Sequence, residues 1–400
     1  MNFEFSDEQR QLHEVVERYL NEQYGFERYQ SIKRSAAGWD PAVWRALADL
    51  GVLAITVPVA QGGLGFGPLE TLSMMGDCGR SLLLEPVLSS AVIATAALRA
   101  FVGEAPTGEA PTGKAAAGEA AAGELLTAMA AGEKIAVLAH FESDARFESQ
   151  WVTTRARRAG ESYRLDGHKG VVMHAGAADT LLVSARTAGE AGDADGVSLF
   201  LVPRAAPGVV LDTYPTVDGQ RAADVYLQAV EVPASSRLGP EGKSLAAVEA
   251  ALDIGLAALC ADAVGVMQAL VDATVDYVRV RQQFGQPIGR FQALQHRIAD
   301  MLIHLEAARS MSYLAALRCT AEDVGERRRA LSAAKAVIGQ SGRFVGQQAV
   351  QLHGGMGMTD ELRVSHWFKR LTAAQLMFGD SDTHLQRVAA LTRGEKSFGR

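Results

Sequence analysis

Three short stretches in the last third of the chain combine residue types that could do chemistry. FGDSDTHLQR, at 378–387, places two aspartates and a histidine at alternate positions. RQQFGQPIGRFQ, at 281–292, sets an arginine beside a break rich in glycine and proline, and QLHGGMG, at 351–357, carries closely spaced glycines. A carboxylate or imidazole can accept a proton, an arginine can hold a phosphate, and glycines let a ligand approach the backbone.

The stretch 378–387 is open to three interpretations: a catalytic site, a metal site or a helix cap. Calcium loops need more oxygen ligands and a glycine at a set position, so no metal site is predicted. A Gly-Asp-Ser-Asp-Thr run before a helical pattern is typical of an N-terminal cap. We expect Asp382 to be the capping residue and His384 to be a helix residue in polar surroundings. Taken alone, these residues favour the cap.

The two other stretches also have plain structural alternatives. Arg281 lies beside a turn with free backbone groups, which suits a phosphate, but it could equally be a solvated arginine in a helix hairpin. The glycines of 354–357 could bring the backbone close to a flat or charged ligand, or could simply end a helix.

Composition limits the class of protein. The chain has 400 residues, of which 48% are hydrophobic, and a net charge of −7 with scattered basic residues. These values predict a multidomain globular protein and no nucleic-acid partner. The three cysteines, Cys78, Cys260 and Cys319, are widely spaced and form no CxxC pair. We therefore expect neither a disulfide framework nor a zinc site, and a reduced cytoplasmic location.

Two segments bear on targeting and membranes. The N-terminal stretch MNFEFSDEQRQLHEVVERYL is acidic and amphipathic, which is unlike a signal peptide. The longest apolar stretch, 244–278, is interrupted by several acidic residues and predicts a helix within a globular protein. No membrane partner is expected.

Periodicity changes twice along the chain. Residues 7–98 have the helical period, with Ser6 and Asp40 placed as N-caps. Residues 103–124 form a five-residue Gly/Ala/Glu/Pro repeat without large apolar side chains, and we expect a mobile surface insertion there.

From residue 134 the period becomes two, and after 240 the helical period returns. Seven alternating runs predict strands of a small β-barrel or sandwich at 134–141, 151–158, 163–173, 179–187, 196–203, 209–214 and 224–233. Helices are expected at 244–280, 291–320, 324–350, 360–376 and 383–393. The predicted fold is an α+β multidomain architecture with an N-terminal helical domain (1–128), a middle β-domain (129–238) and a C-terminal four-helix bundle (239–400).

Together and in this order, the motifs resemble the acyl-CoA dehydrogenase family over nearly the whole chain except 103–124. The family pattern RxxFGxPIGxFQ occurs at 281–292 and QxxGGxG at 351–357. The VPxxxGGLG loop is matched at 57–65, and the LxGxK strand start at 165–169.

This resemblance implies FAD as cofactor, an acyl-CoA substrate, and electron transfer to an electron-transfer flavoprotein. It also implies a homo- or heterotetramer in which FAD lies between the last two domains and across a subunit interface. By this match Arg281, Gln283, Phe284 and Gln292 hold a neighbouring subunit's FAD, with the guanidinium on the pyrophosphate. Gln351, Gly354 and Gly355 match the backbone cradle on the adenosine side of that cofactor.

The match is poorer where the family places the redox chemistry. A TEPxAGSD-like loop lines the flavin in the family, whereas this chain has HFESDARFES at 140–149. The family's WIT run corresponds here to Val171, Val172 and Met173. Gly255 occupies one of the two positions from which the family supplies its catalytic base.

The second base position falls within FGDSDTHLQR. Alignment on Leu385, Gln386 and Arg387 places Asp380 there, whereas alignment on the upstream Arg370 places Gly379 there. We select Asp380 as the α-proton base because the match on the helix side is the tighter one, and a carboxylate beside the thioester is the group that this chemistry usually uses.

Two hypotheses about function stay open. LDIGLAALCADAVG, QFGQPIGRFQALQHRIADM and FGDSDTHL resemble the small subunit of pimeloyl-CoA dehydrogenase, one branch of the family that works as pairs of unlike subunits. The chain is accordingly expected either to desaturate an acyl-CoA, with a related large subunit as partner, or to be a non-catalytic structural subunit that completes its partner's FAD site.

Overall fold

The computed structural model describes residues 7–102 and 114–394. The described chain forms two compact units. The first comprises 7–31, 68–83 and 256–394, and the second comprises 32–67, 84–102 and 114–255. The predicted domain boundaries at 128 and 238 stay a prediction.

The helices, except the one at Lys114–Ala130, fall in the regions that the helical periodicity of the sequence predicts. They are α1 (Asp7–Gln23), α2 (Phe26–Arg34), α3 (Pro41–Asp49), α4 (Pro68–Ser81), α5 (Thr95–Arg99), α6 (Lys114–Ala130), α7 (Leu245–Val280), α8 (Gln292–Arg318), α9 (Val324–His353), α10 (Arg363–Leu376) and α11 (Ser381–Thr392). A π-helical segment, Val87–Ala94, precedes α5. Asp40 caps α3 as expected, because its side chain accepts a hydrogen bond from the Ala42 N–H at 2.8 Å. Ser6 lies outside the described residues.

All seven predicted strands are present, and an eighth short strand follows them. They are β1 (Ala136–Ala139), β2 (Arg155–Ala159), β3 (Ser162–Met173), β4 (Thr180–Arg186), β5 (Val197–Pro203), β6 (Val209–Pro215), β7 (Arg221–Pro233) and β8 (Arg237–Leu238). They form one sheet in the order β6-β7-β3-β2-β4-β5-β8, and β1 pairs in parallel with β4. The predicted fold class, with helical regions before and after a middle β-region along the chain, is confirmed.

The expectation of a mobile insertion at 103–124 is wrong for its second half. Residues 114–124 belong to α6, and Ala122 is fully buried in the core cluster of the second unit, together with Leu126 and Met129. At Gly118 a side chain would collide with the carbonyl oxygen of Arg237. Alanine and glycine lack bulk, but this lets the helix pack closely, and alanine has the highest helix propensity. Residues 103–113 lie outside the described part of the chain.

Close helix packing also organises the first unit. Helices α4 and α7 approach so closely that an alanine at Gly265 would collide with the carbonyl oxygen of Gly76. The guanidinium of Arg370 on α10 donates to both carboxylate oxygens of Asp262 on α7, at 3.1 and 2.8 Å. Both side chains are buried, so this bidentate pair fixes α10 against α7.

Helix α7 is long and apolar enough, by length and composition, to cross a membrane. Its most apolar stretch is 83% buried within the fold, as in the core helix of a globular protein.

Candidate functional site

The turn between α7 and α8 projects a basic and an aromatic side chain into solvent. Strands β9 (Gln282–Gln283) and β10 (Gln286–Pro287) form a minimal hairpin whose two tip residues, Phe284 and Gly285, have φ of 54° and 77°. Two successive positive φ angles are characteristic of a tight hairpin turn, and only the glycine adopts them without strain. Phe284 is 90% exposed, and Arg281 at the base of the hairpin is also exposed.

Arg281 forms no ion pair with any residue that the structure describes. An exposed guanidinium beside an exposed aromatic ring is suited to a ligand with phosphates and a flat ring. Gln283 and Gln292 are exposed on the same turn. Because all four side chains point out of the bundle, anything they bind must be presented from outside this surface.

The glycine turn at the end of α9 is open to solvent. Gly354 ends the helix with φ 62° and ψ −142°, and a Cβ built at Gly354 or Gly355 meets no heavy atom within 4 Å. Gln351, one turn earlier, is exposed as well. The open backbone therefore offers a cradle that a side chain would fill.

An aromatic contact brings these two turns to the same end of the bundle. The ring of Tyr277, one turn before Arg281 on α7, stacks on His353, with centroids 4.4 Å apart. The Tyr277 hydroxyl also donates to the His353 carbonyl oxygen at 3.5 Å. The predicted FAD-binding residues are thus collected in one region, and their chemistry fits that cofactor: a cation for the pyrophosphate, an exposed ring and a bare backbone.

Asp380 is the N-cap of α11, and the expectation that Asp382 caps this helix is wrong. The Asp380 carboxylate accepts a hydrogen bond from the Thr383 N–H at 2.8 Å, whereas Asp382 is exposed within the first turn. The register differs from the expected one because the helix begins at Ser381 rather than near His384.

The cap also weakens the basicity of Asp380. The hydrogen bond from the Thr383 backbone, followed by one from the Thr383 side chain, lowers the pKa of the Asp380 carboxyl below its ordinary value. Among the described residues Asp380 hydrogen-bonds neither to Arg281 nor to the glycine turn at 354–355. His384 is a residue of α11 that is buried beside the Phe378 carbonyl oxygen, Lys335 and Asp380, and burial lowers its pKa to about 3.

A buried charged cluster underlies the segment that corresponds to the flavin loop. The Lys169 ammonium is fully buried and donates to Glu142 Oε1 at 2.7 Å, to the His140 carbonyl at 3.1 Å and to Ser184 Oγ at 3.1 Å. Glu142 further accepts from the Thr153 N–H, the Thr153 hydroxyl and the Thr154 N–H. Glu142 thereby ties the start of the segment 142–153 to its end.

The pKa values in this cluster reflect burial and pairing. Burial works to raise the pKa of Glu142, but the adjacent Lys169 and the donated hydrogen bonds outweigh it and bring the value to about 2. Burial lowers the pKa of Lys169 to about 8, although Glu142 opposes that change. The sequence showed only a polar HFES run and an LxGxK strand start, and the pairing of Glu142 with Lys169 was missed.

The end of β3 carries backbone strain at the position corresponding to the family's WIT run. The pairing of β3 with β7 is irregular between Lys169 and Val172, and Val171 there has φ 52° and is 62% exposed. The Val171 N–H is held by the Asp224 carboxylate at 3.0 Å. A β-branched residue in this conformation is strained, and such strain clusters at functional sites.

No group of three or more His, Cys, Asp or Glu side chains suited to a metal ion occurs within residues 7–102 and 114–394. The three cysteines are buried, and none of them forms a disulfide.

Comparison with known proteins agrees with this geometry. Models of the N-terminal, middle and C-terminal domains of acyl-CoA dehydrogenases match residues 6–104, 139–230 and 243–391. The chain therefore belongs to the acyl-CoA dehydrogenase family, whose members are oxidoreductases acting on CH–CH bonds.

Individual relatives span nearly the same length. Mitochondrial isovaleryl-CoA dehydrogenase of Pongo abelii is 31% identical over 321 residues, covering 78% of this chain and 72% of the relative. The solved structure of a steroid acyl-CoA dehydrogenase, Tcur3481-Tcur3483, is 27% identical with a TM-score of 0.83, over 97% of this chain and 98% of that one. The ChsE4-ChsE5 complex from Mycobacterium tuberculosis shares the fold, with 24% identity, a TM-score of 0.83 and coverage of 99% and 100%.

Proposed function

We propose that this protein is an FAD-dependent acyl-CoA dehydrogenase subunit that introduces an α,β double bond into an acyl-CoA thioester and passes the electrons to an electron-transfer flavoprotein. The observation that carries the proposal is the exposed Arg281 guanidinium beside the open Gly354–Gly355 backbone at one end of the helical bundle.

Bound FAD would supply the acceptor for the hydride that leaves the β-carbon. Arg281 would bind the pyrophosphate, with Gln283, Phe284 and Gln292 around it. Gln351, Gly354 and Gly355 would receive the adenosine side. Asp380 would take the α-proton, for which its carboxylate must release the Thr383 N–H that it now accepts at 2.8 Å.

One observation favours the alternative, a structural subunit that completes a partner's FAD site without doing chemistry. The Asp380 carboxylate is engaged as a helix cap and has a lowered pKa, whereas a general base working near neutral pH needs a raised one. Gly255, at the other base position, has no side chain to offer.

The surface of the bundle supports association with further subunits. Several large apolar side chains of the first unit are exposed, among them Phe284, Ile303 and Met358 at 90, 66 and 65%. Contiguous exposed apolar surface marks contacts with other molecules, whereas single exposed apolar side chains are common. We infer a homo- or heterotetramer, with a related large subunit as the partner suggested by the paired chains of the similar steroid enzyme. A cytoplasmic location is part of the proposal.

The FAD site can be tested with matched arginine variants. Arg281→Ala should weaken FAD binding about 30-fold or more, equivalent to about 2 kcal/mol for a lost charge contact. Arg279→Ala removes another exposed arginine, which lies 3.8 Å from the Asp276 carboxylate, and it should retain flavin. Equal flavin content in the two purified variants would refute the assignment.

Catalysis can be tested separately by anaerobic bleaching of the flavin with a panel of acyl-CoAs, with and without a related large subunit. Asp380→Asn should keep FAD and bind acyl-CoA but reduce the flavin at least about 100-fold more slowly. If the wild-type chain never bleaches while its partner alone does, the structural-subunit alternative holds.

A further inference from the structure

The turn that carries Asp380 has a strained backbone conformation. Phe378 and Gly379 have φ of 60° and 110°, so two successive residues lie in the positive region. Glycine adopts this conformation readily, but for phenylalanine it is strained and persists only when the surroundings enforce it.

Two buried side chains stabilise this conformation through hydrogen bonds to three backbone carbonyl oxygens. The Lys335 ammonium on α9 donates to the carbonyl oxygens of Gln375 and Gly379, both at 2.9 Å. The His384 imidazole on α11 bonds through Nε2 to the Phe378 carbonyl oxygen at 3.1 Å. Since a carbonyl can only accept, Nε2 carries the proton. Because these carbonyl oxygens are bonded to buried side chains, the backbone of the turn is fixed, and this fixes the position of the Asp380 carboxylate.

The packing around Lys335 shows that this arrangement is specific. Lys335 is only 2% exposed and forms no ion pair with any described carboxylate. It lines a cavity of about 10 Å³ whose other walls are largely apolar, including Ile338 and Leu371. One turn further along α9, a Cβ at Gly339 would lie 2.5 Å from Ser381 Oγ, so an alanine there would displace the Ser381 side chain at the start of α11.

A buried ammonium without a carboxylate partner is costly, which is hard to explain by stability alone. We propose that Lys335 is a positioning residue that, together with His384, holds the turn 376–380 so that Asp380 is presented for proton abstraction. This inference rests on the proposed desaturation activity. Its structural part, the holding of the turn, does not depend on that activity.

The charge of Lys335 should make the rate of flavin reduction depend on pH. The titratable groups that face it are Cys260 on α7, Asp380 in the turn and His384 on α11, which is also influenced by Arg387. Burial lowers the pKa of Lys335 to about 8. Flavin reduction in the wild type should therefore fall above about pH 8, as the ammonium deprotonates, and this alkaline limb should be absent without Lys335.

The test compares Lys335→Met with Lys369→Met, which removes a partly exposed lysine of α10 that pairs with Asp360. Hydrogen exchange of the amides in 376–384 is measured by mass spectrometry, and flavin reduction by acyl-CoA is followed across pH. We expect Lys335→Met to exchange about tenfold faster or more, as for the loss of bonds from a charged donor. It should also reduce flavin at least about tenfold more slowly with unchanged FAD content and no alkaline limb, while Lys369→Met behaves as wild type.

The outcomes separate the two levels of the inference. Unchanged exchange in Lys335→Met would show that Lys335 does not hold the turn. Faster exchange with an unchanged reduction rate and pH profile would overturn the positioning role. If Lys335→Met does not fold, His384→Met serves in its place, since it removes the third carbonyl contact and should accelerate exchange of the same amides. If the wild type reduces no flavin with any acyl-CoA, the proposed function fails, but the exchange result still decides whether the turn is held.

Discussion

Removal of the Lys169 ammonium should destabilise the second unit strongly. In Lys169→Met the Glu142 carboxylate stays buried, with a side chain only 4% exposed, and loses its only ion-pair partner among the described residues. Breaking one side of a buried pair typically costs about 3–5 kcal/mol. Glu142 keeps the hydrogen bonds from Thr153 and Thr154, so we expect the lower end, about 3 kcal/mol. For a unit of this size that corresponds to a fall in Tm of roughly 6–12 °C.

Denaturant unfolding and thermal scans on the purified protein measure this loss, with Lys134→Met as the control. Lys134 pairs with Asp179 at 3.3 Å, but both side chains are about half exposed, so its removal should cost less than about 1 kcal/mol. The double variant Glu142→Gln/Lys169→Met should recover much of the lost stability, because no unpaired charge then stays buried.

The pH dependence of the stability of Lys169→Met provides an independent test. In the wild type the pKa of Glu142 is about 2, so its contribution to stability is present above its ordinary pKa and is lost as the pH falls through about 2. Without Lys169, burial raises that pKa, and the folded state then binds a proton more readily than the unfolded state. The stability gap between variant and wild type should therefore narrow on mild acidification. Two results would refute this account of the pair of Glu142 and Lys169. One is an unfolding midpoint of Lys169→Met equal to that of the wild type, and the other is a stability difference between them that widens on acidification.

Two further predictions concern small residues. Gly265→Ala should lower the free energy of unfolding by about 3 kcal/mol, because its Cβ meets the Gly76 carbonyl. In flavin-free protein, Gly355→Ala should leave the denaturant midpoint unchanged, because no atom lies within 4 Å of its Cβ. Ala122→Asp should cost several kcal/mol, on the order of 3, since it buries a charge in the core, and Ala120→Asp on the exposed side of the same helix should cost about 0.5 kcal/mol or less. Equal melting temperatures for the last two variants would show that this part of the repeat does not pack.

Local patterns in the sequence were sufficient for most of the secondary structure, α6 excepted, and for the family. Strands β1–β7 each coincide with a run of period two, and α7–α11 each coincide with a helical run. The motifs at 281–292 and 351–357 singled out residues that the structure gathers at one end of the bundle through the contact of Tyr277 with His353. These features are recoverable from sequence because the alternation of burial, and the need for glycine in a turn, act between near neighbours.

Tertiary structure alone decided the features that depend on distant partners or on one residue of register. Glu142 and Lys169 are 27 positions apart, and nothing local to either marks them as a buried pair. The burial of Ala122 depends on how closely α6 approaches the sheet. A composition of alanine and glycine permits this close approach but does not predict it. Asp380 caps α11 next to a turn with two positive φ angles, and the Gly379 carbonyl of that turn accepts a hydrogen bond from Lys335, 44 positions away. The energy of such contacts comes from desolvation and close packing, and both are set only when segments far apart in the chain meet.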